Sequence, residues 1–176
     1  MYIETERLHI QPLTLAQLKL YAANNGSLEK QLGLKYTPKE IEPDLADALE
    51  TYFLRLLPLH HDKFYFYTLW AIVLKKEQTM AGDLCFKGEP DENGEVEIGY
   101  GTYPDYQQQG IMREAIDCLL NWCARRPDII TVIAETEAGN TPSEKILERN
   151  GFQKDCQSRD NTWWKREVKE LVDLKI

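Results

Sequence analysis

The sequence predicts an α+β fold, with a mixed, mostly antiparallel sheet and helices on both of its faces, in a single domain over residues 1–176. Two observations lead to this prediction. Three strand-like segments follow one another in the middle of the chain, which is typical of an antiparallel meander. Beyond them, a helix with one apolar face precedes a nearly continuous apolar strand, of the kind that lies in the centre of a sheet. The predicted order of elements is β-α-α-β-β-β-α-β-α-β-β.

The N-terminal part of the chain contains one strand and two helical regions. The segment "RLHIQPL" alternates apolar and polar residues and predicts a strand that stops at Pro12. Thr14 predicts the start of a helix that ends near "NNGS". After Pro38, the segment "KEIEPDLADALETYFLRLL" has a helical pattern, and Pro43 predicts a break between two helices there.

The predicted meander and the helix after it occupy the middle of the chain. Its strands are "FYTLWAIVL", "TMAGDLCFKG" and "EVEIGYGTY", and a turn "KKEQ" and an Asn93-Gly94 loop separate them. The helix that follows is expected to bury one apolar face. That face consists of Ile111, Met112, Ala115, Ile116, Leu119, Leu120 and Cys123.

The C-terminal part predicts a strand, a short helix and a final strand. "DIITVIAET" is the apolar central strand, and "TPSEKILERNGF" is the helix. Thr141 as N-cap, Pro142 as the first helical residue and Glu144 form a predicted capping box, and Gly151 is the expected stop. In the final strand, "TWWKREVKEL", Trp163 and Trp164 face opposite sides, so one is expected in the core. The other is expected in an acceptor pocket or a dimer contact, and a homodimer is left open.

The composition excludes several classes of partner. The net charge is −8 with no block of Lys or Arg, so a nucleic acid is not expected as the main partner. No apolar run has the ~20 residues that span a membrane, and an acidic chain suits a cationic substrate such as an amine. The four cysteines form no C-x-x-C pair and have no His at metal spacing. They are interpreted as reduced core thiols in the cytoplasm, and no metal is expected.

The third strand of the meander, "EVEIGYGTY", is unusual because one of its faces has almost no side chains. Glu97, Gly99 and Gly101 share that face, since strand residues alternate. Glycines within a strand often mark a bulge or the close approach of a ligand or another backbone. They can equally accommodate bulky side chains from a packed helix, and the strand alone does not decide between these readings.

The segment "YQQQG" before the next helix is a candidate anion site. The first N–H groups of a helix have no intrahelical acceptor and lie at the positive end of its dipole, where a phosphate fits. Gly110 allows a ligand or backbone to come close. The segment has neither the Gly-Lys-Ser/Thr of a Walker loop nor the three glycines of a dinucleotide fingerprint.

Together, "EIGYGTYPDYQQQG…EA" and "N-x-x-S-x-x-x-L-E-R-N-G-F" resemble the GCN5-related N-acetyltransferase (GNAT) superfamily. The opening "TERLHIQPL" looks like the branch that contains the ribosomal-protein N-terminal alanine acetyltransferases and their small-molecule relatives. The resemblance covers nearly the whole chain and implies transfer of an acetyl group from acetyl-coenzyme A to a primary amine. That amine belongs to a protein N-terminus, a peptide or a small molecule.

The resemblance also assigns the cofactor residues. The family's Q/R-x-x-G-x-G/A loop maps onto Gln107, Gln108, Gln109, Gly110, Ile111 and Met112, and its amides are expected to hold the pyrophosphate. Asn140 matches the asparagine that bonds the pantetheine arm, and Ser143 the small residue one turn later. Three departures stand out: Met112 replaces a small residue, Gln108-Gln109 replaces a Gly plus a basic residue, and Leu147 replaces a tyrosine general acid. Arg113 is a candidate substitute for the missing basic side chain.

The predicted chemistry is direct attack of an amine on the thioester. An ammonium must first lose a proton, and Glu97, acting through water, is the candidate base; its alternative is a solvated strand carboxylate. A strand amide near Tyr100, Gly101 and Thr102 is expected to stabilise the oxyanion. Ser143, a tyrosine or water then protonates the thiolate. The strands "EVEIGYGTY" and "DIITVIAET", fourth and fifth in the predicted sheet, are expected to splay where the cofactor enters. The alternative function is a non-catalytic module that binds coenzyme A.

Overall fold

The computed structural model, which describes residues 1–169, contains an eight-stranded sheet. Its strands are β1 (Ile3–Glu4), β2 (Leu8–Pro12), β3 (Leu69–Leu74), β4 (Thr79–Phe86), β5 (Glu95–Thr102), β6 (Thr131–Glu137), β7 (Gln153–Gln157) and β8 (Asn161–Glu167). Their spatial order is β1-β2-β3-β4-β5-β6-β8-β7. Neighbours pair antiparallel, except for β5 and β6, which pair parallel. The predicted mixed, mostly antiparallel sheet is confirmed.

The strands β5 and β6 separate where the glycines begin. They pair from Glu95 opposite Thr131 to Ile98 opposite Ala134, and within the described residues the ladder between them goes no further. β5 nevertheless continues to Thr102 and β6 to Glu137. The two strands therefore splay at the predicted place and leave a gap between their C-terminal halves.

Six α-helical segments accompany the sheet within residues 1–169. They are α1 (Leu15–Ala23), α2 (Ser27–Leu32), α3 (Pro43–Ala48), α4 (Leu54–Leu56), α5 (Ile111–Ala124) and α6 (Thr141–Arg149). A π-helical turn (Leu49–Phe53) joins α3 to α4, and 3₁₀ turns cover Leu57–Leu59, His61–Phe66 and Pro104–Tyr106. The predicted start at Thr14 is confirmed, since its side chain accepts a hydrogen bond from the Gln17 N–H in a capping box. All seven residues of the predicted apolar face of α5 are buried.

In the region between β2 and β3, one prediction is wrong and one short helix was missed. The pattern after Pro38 predicted a helix from Lys39 with a break at Pro43, but the helix begins at Pro43. Glu42 is extended, with ψ at 149°, because a residue before proline avoids the helical region. The segment "NNGS" predicted only the end of α1, whereas Gly26 and Gly33 also bracket the short helix α2 in left-handed conformations.

The C-terminal part agrees with the sequence except at its edges. Trp164 is buried and donates its Nε1–H to Thr136 Oγ1 at 3.0 Å, so it is the core tryptophan of the predicted pair. The final strand ends at Glu167, and the last two residues of the predicted strand, 170–171, lie outside the described residues. The four cysteines are free thiols, but the prediction that all lie in the core is wrong, because Cys156 is exposed on the outermost strand.

The lengths of the helices decide whether one of them could cross a membrane. Across residues 1–169, the longest helix is α5 with 14 residues, and no helix has the length and apolar character that a bilayer crossing requires.

Candidate active site

The ladder between β4 and β5 places three residue pairs in a row on one face of the sheet. Residues directly opposite in an antiparallel ladder share a face. The pairs are Lys87–Glu97, Cys85–Gly99 and Asp83–Gly101. Because Gly99 and Gly101 have no side chains, β5 contributes none to the middle of this row or to its Asp83 end. These two parts of the row lie beside the gap between β5 and β6.

The same ladder orients the backbone of β5 at the gap. The carbonyl of Glu97 accepts from the Lys87 N–H at 2.9 Å, and the Tyr103 N–H donates to the Ala81 carbonyl at 2.9 Å. Backbone groups alternate between the two edges of a strand. The N–H groups of Tyr100 and Thr102 therefore point toward β6, across the gap that the splay opens.

A cavity of about 370 Å³ lies over the two glycines. It is lined by Gly99, Gly101, Asp83 and Cys85 from the row, by Tyr21, Tyr100 and Tyr103, and by the exposed carboxylates Glu40, Glu42 and Asp44. No Lys or Arg of the described chain is among its lining residues. The cavity is therefore acidic and partly aromatic, which suits a cation.

A buried polar cluster forms the inner wall of this acidic cavity. Asp83 is 6% exposed, and its Oδ2 accepts from the Tyr21 hydroxyl at 2.8 Å and from the Tyr103 hydroxyl at 3.0 Å. Burial raises the pKa of Asp83, while the two hydrogen bonds and the charge of Lys39 lower it by less. Lys39 pairs with the buried Glu29, with Nζ 2.7 Å from Oε1. The ammonium of Lys39 also lies 5.1 Å from the centre of the Tyr21 ring.

Glu97, the predicted proton acceptor, lies at the other end of the row. It stands where β5 is still paired with β6, opposite Ile133. Its Oε1 forms an ion pair with Lys87, which also lies 3.5 Å from Glu135. Burial disfavours the Lys87 ammonium, but these two carboxylates outweigh it and raise the pKa of Lys87. Glu97 is not among the residues that line the acidic cavity.

A second cavity, of about 540 Å³, lies between the starts of α5 and α6. It is basic, because Arg113, Lys145 and Arg149 line it and none of its described lining residues is acidic. Gln108, Gly110, Ile111 and Met112 of the predicted cofactor loop also line it. Thr102 lines both this basic groove and the acidic cavity, so the two sites meet at the end of β5.

The start of α5 supplies free amides to the basic groove. Gly110 is the N-cap, with φ at +74°, and makes no side-chain capping bond, so it leaves the first N–H groups of the helix uncapped. A Cβ added at Gly110 would meet only Arg7 Nη2, at 4.0 Å, so the space in front of the helix is open. Gln108 also has a left-handed conformation, with φ at +60°. The Met112 side chain is 2% exposed and points into the core, so it does not cover these amides.

The start of α6 corrects one prediction from the sequence. The N-cap is Asn140 and not Thr141: its Oδ1 accepts from the Ser143 N–H at 3.3 Å, and its carbonyl accepts the first helical bond from Glu144 at 3.0 Å. Thr141 is therefore the first helical residue and Pro142 the second. The Asn140 oxygen has a structural role that the sequence analysis gave to Thr141, and the predicted contact with a pantetheine arm is left to its exposed amide NH₂.

A hydrogen bond spans the gap from β5 to α6. The Tyr100 hydroxyl and Ser143 Oγ are 2.7 Å apart, which brings together two predicted site residues. Burial raises the pKa of Tyr100 to about 12, although the hydrogen bond with Ser143 lowers it slightly. Leu147, at the position where the family resemblance led to the expectation of a tyrosine, is fully buried in the core. Tyr100 is thus the tyrosine that faces the gap.

Comparisons with known proteins agree with this arrangement. Residues 7–153 match the family described as the acetyltransferase (GNAT) domain. The chain belongs to the GNAT acetyltransferase family. It is 30% identical over 162 residues to the uncharacterized N-acetyltransferase YjdG of Bacillus subtilis (strain 168), covering 92% of this chain and 95% of that protein.

Solved GNAT structures share the fold. The ribosomal-protein-S5-alanine acetyltransferase from Vibrio fischeri superposes with a TM-score of 0.71 at 18% identity, over 97% of this chain and 98% of that one. The ribosomal L7/L12 alpha-N-protein acetyltransferase RimL, solved in complex with coenzyme A, gives 0.70 at 19% identity, over 96% and 98%. Membership of this family makes the chain an enzyme that transfers acetyl groups from acetyl-coenzyme A.

Several residues of the two sites were not predicted from the sequence. Asp83 had a visible signal, since it is the one acidic residue within the strand "TMAGDLCF", whose neighbours are mostly buried. Lys145 and Arg149 resembled ordinary solvated positions of a short helix, and only the packing of α6 beside α5 turns them toward Gly110. The carboxylates Glu40 and Glu42 lay in a segment predicted to be helical.

Proposed function

We propose that the acceptor is a primary alkylamine that enters the acidic cavity as a cation, while acetyl-coenzyme A occupies the basic groove. One observation carries this proposal: two cavities of opposite charge meet at Thr102, beside the unpaired edge of β5. A polyanionic cofactor and a cationic acceptor would each have a complementary site, and both would reach the same stretch of strand.

The residues of the basic groove fit the cofactor that the family uses. Phosphates are bound well by free amides at a helix start and by Arg and Lys side chains, and the groove has both. Arg113, Lys145 and Arg149 would supply the basic charge that Gln108 and Gln109 lack. The amides of Gln107 to Met112 would hold the pyrophosphate, and Asn140 and Ser143 would contact the pantetheine arm.

The residues of the gap would support the chemistry. Bound acetyl-coenzyme A supplies an acetyl group already activated as a thioester. The N–H groups of Tyr100 and Thr102 point into the gap, where they would donate to the oxygen that gains negative charge, and Gly101 keeps the approach open. The hydroxyl pair of Tyr100 and Ser143 would provide a proton for the departing sulfur. The sequence predicts Glu97 as the proton acceptor, and Asp83, which unlike Glu97 lines the acidic cavity, is the second candidate for that role.

The first test mixes the purified chain, acetyl-coenzyme A and a panel of amines, and measures free thiol release. The panel contains mono-, di- and polyamines and peptides that differ only in their N-terminal residue. Thiol release that depends on one class of amine supports the proposal and identifies the acceptor. Cofactor binding without release for any amine would instead support the alternative of a non-catalytic coenzyme A module.

The second test changes the charge of the basic groove. The variant Lys145→Glu combined with Arg149→Glu should raise the KM for acetyl-coenzyme A by about tenfold or more, because each lost phosphate contact is worth about 1 kcal/mol or more. The KM for the amine should stay near that of the parent. Lys19→Glu combined with Lys30→Glu makes the same change in net charge at exposed positions of α1 and α2 and is the matched control. An equal effect from this control would mean that only net charge matters.

The class of acceptor and the assembly state belong to the same proposal. Similar proteins include a ribosomal-protein-serine acetyltransferase of Escherichia coli (strain K12) and a chimera of the spermidine N-acetyltransferase SpeG from Vibrio cholerae, so the panel covers both peptides and polyamines. Trp163 is half-buried and does not line the acidic cavity. A homodimer through the Trp163 face is therefore the remaining expectation for this residue, and sedimentation of the parent and of Trp163→Ala tests it.

A further inference from the structure

We propose that Asp83, rather than Glu97, binds the acceptor ammonium and takes the proton that it must lose before attack. This inference rests on the proposed amine acetylation and assigns a catalytic residue that no sequence motif marks. Part of the row of pairs between β4 and β5 lines the acidic cavity. Asp83 stands at its Gly101 end, beside the splayed half of β5, and Glu97 stands at the other end.

Position along the strand separates the two carboxylates. Gly101 lies four residue steps along the strand from Glu97, which corresponds to about 13 Å. The N–H groups that face the gap belong to Tyr100 and Thr102, so they lie at the Asp83 end of the row. A proton acceptor has to be within hydrogen-bond reach of the nitrogen that attacks the carbonyl held there, directly or through one water.

Hydrogen bonding leaves Asp83 one free oxygen at the cavity. Both of its hydrogen bonds, from Tyr21 and Tyr103, end on Oδ2. Asp83 is 6% exposed and lines the acidic cavity, and its Oδ1 accepts no hydrogen bond from residues 1–169. This oxygen is not among the fully buried unpartnered atoms of those residues, so it stays accessible from the cavity, where a ligand can donate to it. An alkylammonium is such a donor.

The charged groups around Asp83 leave it available for this role. The charge of Lys39 lowers the pKa of Asp83, but Lys39 pairs with Glu29, with Nζ 2.7 Å from Oε1. Tyr21 and Tyr103 hold the carboxylate in one orientation, and Cys85 is a half-buried thiol whose pKa is raised to about 12 by desolvation and by the charge of Asp83. Glu40, Glu42 and Asp44 line the same cavity and attract a cation toward it. Glu97, in contrast, already has the ammonium of Lys87 as its partner.

The proposed step balances as follows. The ammonium gives one proton to Asp83 Oδ1, which frees the nitrogen lone pair. The carbon–nitrogen bond forms with the acetyl carbon, the carbon–sulfur bond breaks, and its electron pair stays with sulfur. The second proton of the nitrogen ends on the thiol, and Asp83 passes its own proton to water. Burial raises the pKa of Asp83 toward the working range of a general base.

The decisive experiment compares pH–rate profiles of the full chain with the best amine of the panel. Asp83→Asn should lower kcat/KM by roughly 10²–10⁴-fold near neutral pH, with acetyl-coenzyme A affinity unchanged by calorimetry. The deficit should shrink at high pH, and also with a β-fluorinated analogue of the acceptor, because both provide neutral amine. Asp62→Asn, on an exposed 3₁₀ turn, is the matched control.

Further variants keep the test decisive if Asp83→Asn does not fold. Tyr21→Phe and Tyr103→Phe each remove one hydrogen bond to the ionised carboxylate, so the acid limb of the profile should move up by roughly one to two pH units. The proposal would be overturned if the acid limb stayed in place in both tyrosine variants. It would also be overturned if Glu97→Gln lost the acid limb while Asp83→Asn kept it. If the parent releases no thiol with any amine, the proposed function itself fails; normal kinetics of Asp83→Asn in an active enzyme refute only the role of Asp83.

Discussion

The buried ion pair between Lys39 and Glu29 gives a quantitative prediction about the stability of the fold next to the acidic cavity. Both side chains are 1% exposed, and Nζ lies 2.7 Å from Oε1. Lys39→Met removes the ammonium and keeps an unbranched side chain of similar length. The backbone carbonyl of residue 39 still accepts from Asn24 Nδ2 at 3.0 Å, so the perturbation is confined to the side chain.

The expected magnitude follows from burial. Removing one partner of a buried pair leaves an uncompensated charge, which costs about 3–5 kcal/mol. In this case the remaining carboxylate is also poorly solvated, since Glu29 Oε2 has no hydrogen-bond partner within residues 1–169. For a chain of 176 residues, each kcal/mol lowers the melting temperature by roughly 2–4 °C, so the decrease should be roughly 6–20 °C.

Urea and thermal unfolding of four proteins test this reasoning. Combining Lys39→Met with Glu29→Leu removes both charges and should recover most of the loss, because an apolar pair of similar volume is often neutral. Lys154→Met, at an exposed pair with Glu144, should cost less than about 1 kcal/mol. A loss in Lys39→Met no larger than that in Lys154→Met, or a double variant less stable than Lys39→Met, would refute the account of the pair.

Three further variants probe the cofactor site and the gap beside it. Gly110→Val and Gly33→Val both place a β-branched residue at a left-handed φ, of +74° and +71°, and both should destabilise the fold by about 1–2 kcal/mol. Only Gly110→Val should weaken acetyl-coenzyme A binding in calorimetry, by about tenfold or more; equal affinities would place the phosphates elsewhere. Tyr100→Phe should lower kcat roughly 10²-fold without changing that affinity. Because the pKa of Tyr100 is raised to about 12, its hydroxyl keeps its proton below about pH 11, so a deficit confined to one end of the pH–rate profile would contradict a donor role.

The sequence predicted what depends on local periodicity. The buried face of α5 and the alternation of β5 follow from side-chain spacing, so those residues were identified correctly. The cap of α6 was assigned one residue too late, because Asn140 and Thr141 are both good N-caps and only backbone dihedrals separate them. Asp83 was missed for another reason: its importance arises from Tyr21 and Gly101, which approach it only when distant segments fold together.

The separation of β5 from β6 also leaves the sheet with an internal edge. The outward N–H groups of Tyr100 and Thr102 have the hydrogen-bonding capacity of an edge strand, but they lie in the middle of the molecule. A bound chain with its own amides could pair there as an added strand does, and so close the sheet. A ligand that closes the sheet in this way raises the free energy of unfolding by RT ln(1 + [L]/Kd), where [L] is the concentration of free ligand. The amides of Tyr100 and Thr102 should then exchange with deuterium more slowly as acetyl-coenzyme A is added. Their exchange rates would measure how much of the protein has ligand bound in the gap.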